Sequence, residues 1–341
     1  MAITIKDVAK KAGVATSTVS RTIQDHSSIS EKTKKKVRLI MKELGYQPNL
    51  AARGLVNQNT RTIGIILPVS DGGVFQNPFF LEMIRGISKT CNEKKYMVAI
   101  ASGTTEEELL ESIQMMAKGG RADGFIVLYS KKEDQVIDYL HQEKLNYAII
   151  GKPYQHENEI LYVDNDNQLA GKDATNYMIG LNHQKIAYIC NDMDEMVTAE
   201  RLSGYQQAMA TANIAIDPTY VVAEDFKGAE YKQRLIALFL ADKHPTAVVA
   251  SDDIVAMSLS NLLKDIGLSV PNDVSIISFN NSIFAKMTQP ALTSIDIHIN
   301  YLSSQVVEKL VEFIEGRQTI PMKVILSHKI IERDSCKNRT E

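Results

Sequence analysis

TIKDVAKKAGVATSTVSR, residues 4–21, reads as two short helices around a glycine turn. Thr4 with Asp7 three residues on has the form of a capping box, and Val8, Ala9 and Ala12 make a narrow apolar stripe that another helix can cross closely. Gly13 supplies the positive φ of a tight helix-to-helix turn. The next run turns Val19 and Ile23 inward and leaves Thr16, Ser17, Ser20 and Arg21 outside. A third helix follows, with Ser30 as N-cap, Val37, Ile40, Met41 and Leu44 at helical spacing, and Gly45 as its stop. Three short helices around one core are the all-α helix-turn-helix arrangement, whose second helix can lie in a major groove.

Charge separates this module from the rest of the chain. Residues 1–60 hold eleven Lys and Arg against four Asp and Glu, a balance of +7; the whole chain carries −3, which leaves −10 on the other 281 residues. A positive module on a negative body favours a phosphate backbone and orients it toward one end of the molecule. A plain helical bundle with a solvated face would also carry a lysine run such as Lys34 to Lys36. Short polar residues beside Arg21 on one exposed helix start favour DNA.

The run from Thr4 to Arg21, continued by GYQPNLAARGL at 45–55, resembles the amino terminus of the lactose-repressor family of bacterial transcription regulators. The resemblance implies DNA contacts from Thr4, Thr16, Ser17, Thr18, Ser20 and Arg21. It further implies a hinge that becomes helical on a palindromic operator, with Asn49, Ala52 and Arg53 near the DNA and Leu55 inserted in the minor groove. Asn49 to Val56 is too short to hold a helix alone, and Gly54 adds about 1 kcal/mol against it. Many relatives cap the recognition helix with Ser; Ala15 stands there, which makes Thr16 the candidate cap one position later. The expected division is a DNA-binding domain at 1–47, a hinge and linker at 48–61, and an effector-binding and dimerisation core at 62–341.

Beyond the connector the pattern becomes alternating strands and helices. Apolar β-rich runs occur at Ile63 to Leu67, Met97 to Ala101, Phe125 to Leu128, Tyr147 to Ile150, Ile186 to Ile189, Val221 to Ala223, Ala247 to Ala250 and Val274 to Phe279. Helical stretches such as Glu106 to Lys118, Gln168 to Leu181, Glu200 to Asn213 and Asp253 to Ile266 separate most of them. Such alternation predicts an α/β core of two doubly wound parallel sheets. Open parallel sheets bind ligands at the carboxyl ends of their strands, and two facing sheets make a cleft there. Strand ends carry Asn77, Phe79 and Phe80, then Lys152, Phe226, Asp252, Asn280 and Asn281, with Arg201 expected at the start of a helix. Phenylalanines flanked by Asn, Asp, Arg and Lys suit a sugar, which offers C–H faces to rings and hydroxyls to fixed polar groups. Singly, each has a plainer explanation: Phe79 and Phe80 as helix packing, Lys152 as surface charge, Asp166 and Asp252 as N-caps.

From about Thr62 to about Arg333 the body resembles the periplasmic-binding-protein-like core of the same family, through NPFF at 77–80, DNxxxG at 166–171, RLSGY at 201–205, SDDIVAM at 251–257, VPNDVSIISF at 270–279 and PALTSI at 290–295. By these matches Asn77, Phe79, Phe80, Lys152, Arg201, Phe226, Asp252 and Asn280 fall where relatives hold their effectors. IGKP at 150–153 and SFNNS at 278–282 look most like the maltose-operon repressors of Gram-positive bacteria. The resemblance implies a homodimeric repressor whose operator affinity is set by maltose or a maltooligosaccharide. A cytosolic sugar-binding module and a repressor with a non-sugar corepressor are the alternatives.

Other classes fit less well. No GxGxxG follows the first strand of the body, and no P-loop, GxSxG or HExxH is present, so an enzyme is not expected. DNDN at 164–167 lacks the Gly a calcium loop needs at its sixth position, where Leu169 stands. Seven scattered histidines and the distant Cys91, Cys190 and Cys336 lead us to expect no metal and no cofactor. Without an apolar h-region or a ~20-residue apolar stretch, no membrane association and a cytoplasmic location are expected.

Overall fold

The computed structural model describes residues 3–23, 25–46, 60–69, 73–223 and 229–339. The chain divides into two compact units, Met1–Thr60 and Arg61–Glu341.

The first unit contains α1 (Ile5–Ala12), α2 (Thr16–Ile23) and α3 (Glu31–Leu44). Val8, Ala9, Ala12, Val19, Val37 and Ile40 form its core, with Ile23, Met41 and Leu44 at the edge. Gly13 and Gly45 both adopt the left-handed conformation, at φ 66° and 64°, and close α1 and α3. The Asp7 carboxylate accepts from the Thr4 backbone N–H at 2.9 Å and from its hydroxyl at 2.7 Å, which lowers the Asp7 pKa.

The second unit holds two six-stranded sheets. In chain order its elements are β1 (Thr62–Ile66), α4 (Pro78–Glu93), β2 (Met97–Ala101), α5 (Glu106–Lys118), β3 (Gly124–Val127), α6 (Gln135–Gln142), β4 (Tyr147–Ile150) and β5 (Leu161–Asn165). There follow α7 (Asn167–Gly180), β6 (Ile186–Cys190), α8 (Met196–Thr211), β7 (Val221–Ala223), α9 (Ala229–Leu240), β8 (Ala247–Ala250) and α10 (Asp253–Asp265). The last are β9 (Ser275–Phe279), α11 (Ile283–Met287), β10 (Thr293–Asp296), α12 (Ile299–Ile314), β11 (Lys323–Leu326) and β12 (Lys329–Ile331).

Strand order is β11-β5-β4-β3-β1-β2 in one sheet and β12-β10-β9-β8-β6-β7 in the other, parallel throughout except for β12 against β10. The inner strands β3, β4, β6, β8 and β9 are buried along their whole length, as parallel strands covered on both faces must be. Three chain crossings join the two halves: β5 to α7, β10 to α12, and β11 to β12. The Asn165 amide donates to Ile297 O at 3.2 Å, Leu326 O at 3.1 Å and Ser327 O at 3.4 Å, so one side chain ties all three together.

Helices α7 and α8 pack backbone to backbone. A Cβ on Gly171 would lie 2.2 Å from Arg201 O, and one on Gly204 2.0 Å from Gln168 O. Those glycines are the ones in the DNxxxG and RLSGY segments.

Candidate DNA interface and effector cleft

Helix α2 begins at Thr16, and the Ala15 carbonyl accepts from Thr18 N at 3.0 Å and Val19 N at 3.2 Å. Ala15 therefore holds the cap position, which corrects the expectation that Thr16 does. With no capping side chain at Ala15, the N–H groups of Thr16 and Ser17 at the start of α2 are left for an outside acceptor, and a helix start of this kind suits a phosphate. Thr16, Ser17 and Arg21 are exposed, Thr18 and Ser20 half-buried, and Thr22 fully buried beside Val19. Thr4 is exposed at the start of α1. Not all of the positive charge is open to DNA: the Lys34 ammonium is buried against Asp25 at 3.1 Å and Glu31 at 3.0 Å, and Arg38 pairs with Asp25 at 2.6 Å. Asp25 thus pins the α2–α3 connection to α3. Asn49, Ala52, Arg53 and Leu55 lie outside the described residues.

In the second unit, a cleft between the two sheets is lined by Asn77, Phe79, Phe80, Arg201, Asp252 and Asn280 among the expected residues. The space between its walls, counted out to open solvent, is about 1000 Å³. Phe79 and Phe80 meet edge to face at 5.2 Å on the first turn of α4, which Asn77 caps by accepting from Phe79 N at 3.0 Å. Asp252 caps α10 through Val255 N at 2.8 Å and also faces the cleft, so the N-cap and lining descriptions hold together. Asn280 sits at φ 96° just past β9. Its neighbour Asn281 turns away, bonding Asp296 at 3.2 Å and the guanidinium of Arg333.

Arg201 lies in the second turn of α8, not at its start, because the helix begins at Met196. Its buried guanidinium donates to Asn167 Oδ1 at 3.2 Å and Ser251 O at 2.6 Å, and rests 4.1 Å over the Phe279 ring. Burial pulls its pKa down, while Asp164, Asp252 and Glu195 favour its charge. Lys152 stands outside the cleft lining: its ammonium is 3.6 Å from Glu200 and 3.9 Å from Glu157, and only its backbone N–H reaches Asp164, at 2.9 Å. Phe226 lies outside the described residues.

Sequence reasoning did not single out several lining groups. Asp164, Asn165 and Asn167 come from the end of β5 and the start of α7; Asn191, Asp192, Glu195 and Thr198 from the loop after β6 and the start of α8; Tyr129 and Ser130 follow β3. Burial pushes Asp164 up to about 6, against hydrogen bonds from Asn165 and Asn167 that lower it. Glu195 is pushed up to about 7, first by burial and then by Asp192 and Asp252. The buried Asn191 Oδ1 accepts no hydrogen bond among the described residues and lies on a residue of the cleft wall. At the rim, Lys132 N donates to Asp194 O and Met196 N to Ser130 O, both at 3.1 Å, so the halves already touch through a short bridge.

A helix-turn-helix unit and a two-sheet cleft in one chain define a DNA-binding regulator with a ligand-receiving core. Residues 4–49 match the family described as bacterial regulatory proteins, lacI family, and residues 175–336 match the periplasmic binding protein-like domain. The HTH-type transcriptional regulator MalR of Streptococcus pneumoniae serotype 4 is 38% identical over 338 residues, covering 98% of this chain and 100% of that protein. MalR of Staphylococcus xylosus is 33% identical, with 98% of each chain covered. The solved transcriptional regulator CelR-cellobiose complex superposes with a TM-score of 0.75 at 28% identity, covering 98% of this chain and 99% of its own. The chain belongs to the lacI family of bacterial regulatory proteins, and it is a DNA-binding transcriptional regulator. No helix among the described residues is long and apolar enough to cross a membrane.

Proposed function

We propose that the chain is a cytoplasmic homodimeric repressor that releases a palindromic operator when maltose or a short maltooligosaccharide binds in the cleft. The observation that carries the ligand assignment is the chemistry of the walls. An aromatic pair, Phe79 and Phe80, shares the cleft with Asp164, Asp192, Glu195 and Asp252, the amides of Asn77, Asn167, Asn191 and Asn280, and a single guanidinium, that of Arg201. Such a surface repels phosphates and carboxylates and offers acceptors to hydroxyl groups, while rings can cover the C–H face of a pyranose. The names of the relatives agree: two are MalR regulators, and the CelR structure holds cellobiose.

Control follows from where the residues sit. Phe79 and Phe80 belong to the half built on β1, and Arg201 and Asp252 to the half built on β6 and β8. A ligand touching both favours one relation of the halves over another, which is the differential contact that allostery requires. Asn165, which touches the cleft and all three crossings, is placed to pass that change on. For the dimer, the support is apolar surface at a sheet edge: Met97 and Ile100 on edge strand β2 and Leu81 on α4 are exposed. In the DNA-binding unit, Arg21 with Thr16, Ser17, Thr18 and Ser20 reads bases and phosphates, Thr4 approaches the backbone, and Asn49, Ala52, Arg53 and Leu55 form the hinge contact.

Calorimetry with maltose, maltotriose, ribose and a purine tests the ligand class. Binding of the maltose series alone supports the proposal; binding of the purine alone overturns it.

A further inference from the structure

We propose that His141, His156 and Glu159 form a binding site for a divalent transition-metal ion, separate from the effector cleft. The three come from two places in the chain: His141 lies in the last turn of α6, while His156 and Glu159 share one turn between β4 and β5, closed by Glu159 N donating to His156 O at 2.8 Å. The fold brings the helix end onto that turn. The imidazoles stack with centroids 4.2 Å apart and planes 22° from parallel. His141 Nε2 is 3.5 Å from Glu159 Oε2, and His156 Nδ1 is 3.6 Å from Glu159 Oε1. The three prospective donor atoms all lie within 4.8 Å of one another, and no other group of three His, Cys, Asp or Glu among the described residues does so.

Two nitrogens and a carboxylate oxygen are the donor set of zinc and its neighbours, not of calcium or magnesium, which take oxygen ligands. Zinc bonds of about 2.0–2.2 Å in a tetrahedron put donors roughly 3.3 Å apart. Closing the cluster on an ion, with water in the fourth position, therefore takes inward side-chain movement of up to about 1.5 Å and a turn of the stacked rings until both ring planes contain the ion. The remaining nitrogen of His141 is already held: Tyr147 Oη lies 3.3 Å from Nδ1, and with Nδ1–H donating to that oxygen, Nε2 presents its lone pair to the metal. None of the three ligands lines the effector cleft.

The test uses untagged, chelator-stripped full-length protein titrated with zinc chloride in a calorimeter. One equivalent per chain is expected at micromolar or tighter affinity, lost in the His141→Ala/His156→Ala double variant and at least tenfold weaker in Glu159→Gln. Tyr147→Phe, which removes only the group orienting His141, should weaken binding about tenfold. Cobalt(II) should give the visible absorption of a low-coordinate site with the wild type and not with the double variant. Equal zinc binding by wild type and double variant, or only millimolar binding by the wild type, overturns the proposal. Far-UV circular dichroism and thermal unfolding of each of these variants, unchanged from wild type in the absence of metal, serve as the check that they fold.

Discussion

Replacing Arg201 with alanine removes the one guanidinium of the cleft and separates stability from ligand recognition. In the folded core the side chain supplies bonds of 3.2 and 2.6 Å to Asn167 and Ser251, a stack on Phe279, and the positive neighbour of Asp164, Asp252 and Glu195. Removing one partner from buried charges costs about 3–5 kcal/mol. In a domain of this size each kcal/mol lowers Tm by about 2–4 °C, so a fall of about 10 °C is expected, with the core still folded against a stability of about 5–15 kcal/mol. A charge-assisted hydrogen bond to a sugar hydroxyl is worth about 1.5–3 kcal/mol, which makes maltose binding roughly 10- to 150-fold weaker. Thermal unfolding and calorimetry on wild type and variant measure both quantities. Maltose affinity within twofold of wild type would remove Arg201 from the ligand's contacts, and an unchanged Tm would refute the buried-charge argument.

Arg21→Ala should cost about 1–3 kcal/mol on the operator and relax one base position, because a guanidinium matches the O6 and N7 edge of guanine; equal weakening on every DNA sequence, measured by competition, would reduce Arg21 to a phosphate contact. Gly204→Ala puts a methyl 2.0 Å from Gln168 O and should destabilise the core by at least 1–3 kcal/mol, roughly, in urea, whereas Gly180→Ala, with nothing within 4 Å, should be neutral or slightly stabilising; equal effects would contradict the close α7–α8 crossing. Asp164 at about 6 and Glu195 at about 7 are raised from 3.8 and 4.5, so the native state keeps protons that the unfolded chain has released. Their stabilising effect is full below about pH 4 and is lost as pH rises through 6 and 7, about 3 kcal/mol for Asp164 alone. Urea unfolding should therefore find the core more stable at pH 5 than at pH 8, and the reverse order would contradict the burial of these carboxyls.

Long apolar runs and helix caps made most of the architecture legible in the sequence. The eight runs read as strands correspond to β1–β4 and β6–β9, and the helix-turn-helix was legible from Gly13, Gly45 and the apolar spacing between them. Four strands lie outside those apolar runs for a physical reason. LYVDN of β5 ends in Asp164 and Asn165, and β10 reads TSID, with its polar side chains buried in hydrogen bonds; neither looks like an apolar run. β11 and β12 are short and partly exposed. The same features hid part of the cleft, since Asp164, Asn165 and Asn167 stood in a segment without a predicted strand to give them an end. Lys152 is at the correct strand end, yet the sequence does not reveal Glu157 and Glu200 waiting for its ammonium. The glycines of DNxxxG and RLSGY were visible as motif positions; their cause, two helix backbones in contact, needs three dimensions.

Operator binding with and without maltose tests the central claim most directly. Operator selected from random DNA by the full-length protein, labelled and titrated by fluorescence anisotropy at fixed salt, should bind severalfold to about a hundredfold more weakly with saturating maltose, a coupling of about 1–3 kcal/mol, and should be unaffected by ribose. Operator affinity that is the same with and without maltose, in protein shown by calorimetry to bind the sugar, would contradict control of DNA binding through the cleft.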